Sequence, residues 1–76
     1  MNKQRRKEIE TLQAEIESVR ERLEALRDEE QEYIDNMPEN MQQGEKHDQA
    51  ERDVSEMEDA LSSLEDAASS LENINC

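Results

Sequence analysis

Ile9-Glu10-Thr11-Leu12-Gln13-Ala14-Glu15-Ile16-Glu17-Ser18-Val19-Arg20-Glu21-Arg22-Leu23-Glu24-Ala25-Leu26 decides the fold. Its apolar residues Ile9, Leu12, Ile16, Val19, Leu23 and Leu26 follow at steps of 3, 4, 3, 4 and 3. A ladder of a and d positions at this spacing predicts a long helix that buries one stripe against another helix. The same spacing continues through Glu30, Tyr33 and Met37. A second ladder, His47, Ala50, Val54, Met57, Leu61, Leu64, Ala68 and Leu71, keeps the alternation in the other half of the chain. Between the ladders stand the chain's one Pro, Pro38, and its one Gly, Gly44. These are the strongest helix breakers, and Pro38 disfavours helix at Met37.

The fold expected is therefore all-α: a single domain, residues 1–76, built as an antiparallel two-helix coiled-coil hairpin. Helix 1 should span about 3–36, the loop about 37–44 and helix 2 about 45–73. Pro38 to Met41 suits one short helical turn, because Pro fits a first helical position. In an antiparallel pair, facing residues have numbers with a constant total. Leu26 with Val54, Leu23 with Met57, Val19 with Leu61 and Ile16 with Leu64 each total 80, and the midpoint falls in the loop. In that register Arg20 and Arg27 lie beside a column of Glu51, Glu58, Glu65 and Glu72. The opposite flank of helix 2 carries Ala60, Ala67 and Ile74, which widens the apolar face beyond a two-helix seam. A homodimer forming a four-helix bundle is the expected use of that flank.

Composition narrows the function. The chain has 76 residues, 9 basic and 22 acidic, for a net charge of −13. It has one Tyr and neither Trp nor Phe, so its core is small and gains from association. From Glu8 onward five basic residues face 22 acidic ones, a balance of −17. Spread over a helix of roughly 45 Å, that is about one charge per 3 Å, close to the ~3.4 Å spacing along one DNA strand. Direct binding of nucleic acid is not expected of such a chain, and a basic protein surface is the natural partner. No apolar run approaches a membrane span or a signal-peptide core, so a cytoplasmic protein is expected. The lone thiol, Cys76, is terminal and offers no disulfide framework.

Catalysis is not expected. One His, one Cys and one Tyr come without a glycine-rich loop or a nucleophile motif. His47 with Asp48 and Glu51 lacks a metal site's ligand set, so neither a metal nor a cofactor is expected. The candidate residues are binding residues. Asp53, Glu56, Glu58, Asp59, Glu65, Asp66 and Glu72 would supply an acidic face. Tyr33, Ile34, Met37 and Met41 gather apolar bulk at the tip, either to anchor a partner or to close the hairpin.

The tip Tyr33-Ile34-Asp35-Asn36-Met37-Pro38-Glu39-Asn40 follows a Glu-rich helix and precedes Leu61-Ser62-Ser63-Leu64-Glu65-Asp66-Ala67. In this it resembles a group of small acidic helical-hairpin proteins of bacteria, phages and mobile elements. The resemblance brings no established activity. It implies a bacterial host cell and a setting in which small acidic proteins act as inhibitors or nucleic-acid mimics. Here Gln43-Gly44 stands where members of that group carry a Ser, which weakens the N-cap of helix 2. The function expected is a non-enzymatic acidic binding module, an anti-CRISPR-like inhibitor that blocks a basic surface of a host defence complex. The alternative is a structural or adaptor coiled coil, or an antitoxin-like neutraliser, binding through the apolar flank.

Overall fold

A computed structural model describes residues 1–75, and Cys76 lies outside the described residues. Two helices, α1 (Lys3–Asp35) and α2 (Glu45–Asn75), are joined by a connection holding one 3-10 turn, Glu39–Met41. They form an extended hairpin 59 Å long and 14 Å across. No helix among the described residues is long and apolar enough to cross a membrane.

The helix ends follow from local chemistry. Asn2 caps α1: its side-chain oxygen accepts from the Arg5 N–H at 2.8 Å, satisfying one of the free donors of the first turn. Asn2→Ala is expected to lower stability by about 1 kcal/mol in a thermal melt. At the other end of α1, the Asn36 N–H donates to the Glu32 carbonyl and Met37 to that of Ile34. Pro38 then turns the chain away at ψ 151°. The Gln42 amide closes the turn by donating to the Met37 carbonyl at 3.2 Å. Gly44 precedes α2 and has no side chain to cap it. Its carbonyl accepts the first α2 bond, from Asp48.

Helix α2 uses the seam its ladder implies. Ala50, Val54 and Leu61 are buried, and His47, Met57, Leu64, Ala68 and Leu71 are half-buried. Helix α1 does not. Its inward residues are Ile9, Gln13, Ile16, Arg20, Leu23, Arg27, Glu30, Ile34 and Met37, at alternating steps of 4 and 3. Those are a and e positions, whereas the sequence reading placed a and d there. The d residues Leu12, Val19, Leu26 and Tyr33 instead stand 48, 47, 55 and 48% exposed. The helix is thus rotated by roughly 50° about its axis relative to the expected seam.

The facing numbers shift as well. The inward residues of the two helices match at a total of 84: Ile34 with Ala50, Leu23 with Leu61, Ile16 with Ala68 and Ile9 with Asn75. This is one helical turn away from the expected register. The cause lies at the tip. Ile34 and Met37 are each only 7% exposed, and Ile34 forms the buried cluster with Ala50 and Val54. Burying Ile34, an e residue, turns the whole rigid helix. Arg20 and Arg27 tolerate the seam because their methylene stems cover apolar surface while the guanidinium groups reach solvent. At the open end, Asn75 donates to Gln13 at 3.1 Å, and the Arg6 guanidinium donates to the Ile74 carbonyl at 2.9 Å. The second bond places a cation at the negative end of α2, where the helix dipole favours it.

Candidate functional site

The rotation sorts the surface into two unlike faces. One groove between the helices is lined by Glu24 and Arg27 of α1 and by Glu58, Leu61, Ser62 and Glu65 of α2. The b and e columns of α1 therefore share this side with the e column of α2. Glu10, Glu17 and Glu24 form the α1 edge, and Glu51, Glu58, Glu65 and Glu72 the α2 edge. All but Glu24, which is half-buried, are exposed. Asp59 and Asp66 lie two columns further round α2, beyond Ser55, Ser62 and Ser69, on the side away from α1.

Of the acidic residues expected to bind a partner, three lie along this groove face, Glu58, Glu65 and Glu72, whereas Asp59 and Asp66 face away from α1. Asp53 is half-buried on the opposite side of α2, and Glu56 lies on its back. The α1 glutamates were not anticipated. Only a helical wheel centred on the a and e columns, as Ile34 demands, would have brought Glu10, Glu17 and Glu24 to this face.

Two cations are set into the acidic face. The Arg20 guanidinium grips Glu17 through two nitrogens, its Nε at 3.0 Å, and reaches Glu24 at 2.6 Å through Nη1. Arg27 donates to Asp28 at 2.9 Å. These pairs lie within α1 and do not bridge to the α2 glutamate column, as the sequence reading had them. Rotation carries both arginines into the seam, so their heads turn to acids on their own helix. The hydrogen bond from Arg20 holds the Glu17 carboxyl below its ordinary range, and the same bond raises the Arg20 guanidinium above its own. The α2 column Glu51, Glu58, Glu65 and Glu72 keeps its charge outward. Over the whole rod, −13 spread along 59 Å is one net charge per about 4.5 Å, sparser than one DNA strand at ~3.4 Å.

The opposite side is apolar. An open groove there is lined by Val19, Arg22, Leu23 and Leu26 of α1. The α1 column Leu12, Val19, Leu26 and Tyr33 runs along it. Ala60, Ala67 and Ile74 of α2 are exposed across from that column. At the tip, Ile34 and Met37 point inward and offer nothing to a partner, whereas Tyr33 and Met41 remain accessible.

His47, Asp48 and Glu51 bring three possible ligand atoms within 4.8 Å of one another. Asp48 lies 3.7 Å from Nδ1 and Glu51 3.4 Å from Nε2. The carboxylates approach opposite nitrogens of the ring and so do not converge on one lone pair. Comparison of the chain with protein-family models, with curated proteins and with solved structures finds no match, and no family is assigned on that ground.

Proposed function

We propose that the chain is a non-enzymatic, acidic protein-binding module that occupies a basic, nucleic-acid-binding surface. One observation carries this reading. The outward column Glu51, Glu58, Glu65 and Glu72 runs along α2 at heptad spacing, beside a groove that Glu58 and Glu65 line. Regularly spaced negative charges on a helical rod resemble one phosphate edge of a nucleic acid. A cationic channel that neutralises phosphates would accept them by the same electrostatics. In a bacterial host cell the blocked surface would belong to a nucleic-acid-guided defence complex, which makes the protein an anti-CRISPR-like inhibitor. A second reading, an adaptor or antitoxin-like coiled coil, is favoured by the exposed column of Leu12, Val19 and Leu26.

The two readings separate in one experiment. A tagged chain is used to capture partners from bacterial lysate and is eluted along a salt gradient, with DNA or RNA as competitor. Under the acidic-face reading, the captured protein elutes early, is displaced by nucleic acid, and binds at least about 100-fold more weakly when Glu58, Glu65 and Glu72 are all changed to Lys. A partner that survives high salt and the triple reversal, yet is lost with Leu26→Glu, would transfer the function to the apolar face.

A further inference from the structure

We propose that a second copy of this chain covers the apolar face, packed so that the large side chains of α1 in each copy enter the spaces over the alanines of α2 in the other. The inference does not depend on what the acidic face binds. It starts from exposure: Leu12, Val19 and Leu26 are each about half exposed, at heptad spacing, on a chain in which only five of the described residues are well buried. Leaving such a stripe in water forfeits much of the apolar burial that a domain this small needs.

What covers the stripe is indicated by the residues opposite it. Within one hairpin, Leu26 is level with Ala60, Val19 with Ala67 and Leu12 with Ile74; each pair totals 86, close to the 84 of the seam. Large residues on α1 thus keep step with mostly small ones on α2. A twofold axis along the rod keeps each level and swaps the helices, so α1 of one copy lies antiparallel on α2 of the other. Leu26 then meets the partner copy's Ala60, and Val19 its Ala67. Large against small at every such layer is how facing helices interdigitate, and alanine permits the close approach. At the tip the same operation sets the Tyr33 ring level with Asp53 of the second copy, within the reach of a phenol-to-carboxylate hydrogen bond.

Charge points to the same occupant. Two chains of −13 repel on nearly every surface. Leu12, Val19, Leu26, Ala60, Ala67 and Ile74 carry no charge, the groove beside them adds only the cation Arg22, and the α2 column continues as Asp53 and Lys46, of opposite sign, so this is where two copies meet with least repulsion. Area suffices too. From Leu12 to Tyr33 is roughly 32 Å, and two helices side by side are about 20 Å wide. That gives ~640 Å² per copy and ~1,300 Å² in total, within the usual size of a specific interface. The result is an antiparallel four-helix bundle with both acidic faces turned outward.

The test is molar mass by light scattering, with helicity by circular dichroism. The wild type should show twice the 8.9 kDa chain mass at micromolar concentration. Leu26→Glu should raise the dissociation constant by at least about 30-fold. Ala60→Leu should do the same, because it fills the space that Leu26 enters. An apolar patch meant for an unrelated partner would instead gain stickiness from the larger side chain. The exchange Leu26→Ala with Ala60→Leu should restore the dimer, and it decides the matter even where a single variant loses helicity. A wild type that is helical and monomeric at ~100 µM, or an exchange variant that stays monomeric, overturns the proposal.

Discussion

Ile34→Ala is expected to destabilise the hairpin by about 2–4 kcal/mol, the usual cost of truncating a buried isoleucine. In a chain of this size that lowers Tm by at least ~10 °C. Ile34 is 7% exposed and packs with Ala50 and Val54. Neither neighbour can relax far to fill the space, since Ala50 is already small and Val54 is stiff at its Cβ. The contrast with the adjacent residue makes the measurement decisive. Tyr33 is 48% exposed, so Tyr33→Ala should cost less than about 1 kcal/mol where the chain is monomeric. Thermal melts of the two variants at low concentration check this. A Tyr33→Ala cost equal to or above that of Ile34→Ala would return α1 to an a/d seam and remove the apolar stripe on which the bundle rests.

Stability is also expected to rise with ionic strength at pH 7. Here 22 acids face 9 bases, and a net charge of this size opposes the compact state by self-repulsion. Molar salt screens that repulsion. A gain of about 1–2 kcal/mol, or ~5–15 °C in Tm, is expected between 20 mM and 1 M salt. One pair responds to pH instead. Glu17 has its folded pKa depressed by the hydrogen bond from Arg20. Its contribution is therefore complete above the ordinary carboxylate range and is lost as pH drops through the folded value. Melting curves at pH 7 in 20 mM and 1 M salt test the first effect, and a Tm that does not rise with salt would show the acidic columns to be too well solvated to matter.

The hairpin was legible because helix, breaker and helix are each written locally. The ladders name the helices, and Pro38 and Gly44 name the break. The inward face of α2 could be read from its ladder, since His47, Ala50, Val54 and Leu61 leave no rival stripe. Helix α1 has two. Its a column can join with the d column of Leu12, Val19, Leu26 and Tyr33, or with an e column of Gln13, Arg20, Arg27 and Ile34. Hydropathy prefers the first, because it counts arginine as a charge and gives no credit to its stem. The choice was made by a single layer at the tip, where Ile34 meets Ala50 and Val54. A tertiary contact of that kind carries no periodic signal. The acidic groove inherits the same blindness: Glu10, Glu17 and Glu24 join it only once α1 has turned.

The rod is also uneven from end to end. Ile34, Met37, Ala50, Val54 and Leu61 are its well-buried residues, and they occupy the half nearest the loop. Towards the termini the layers are thinner and wetter, ending in Gln13 with Asn75 and the reach of Arg6 to the last turn of α2. The molecule is thus sprung like a clothes-peg, held firmly at the bend and only latched at its jaws. Thermal opening would begin where the chain starts and stops and would spread inward. Whatever grips the jaws, whether a second hairpin or a binding target, completes the half of the fold that the chain alone holds most loosely.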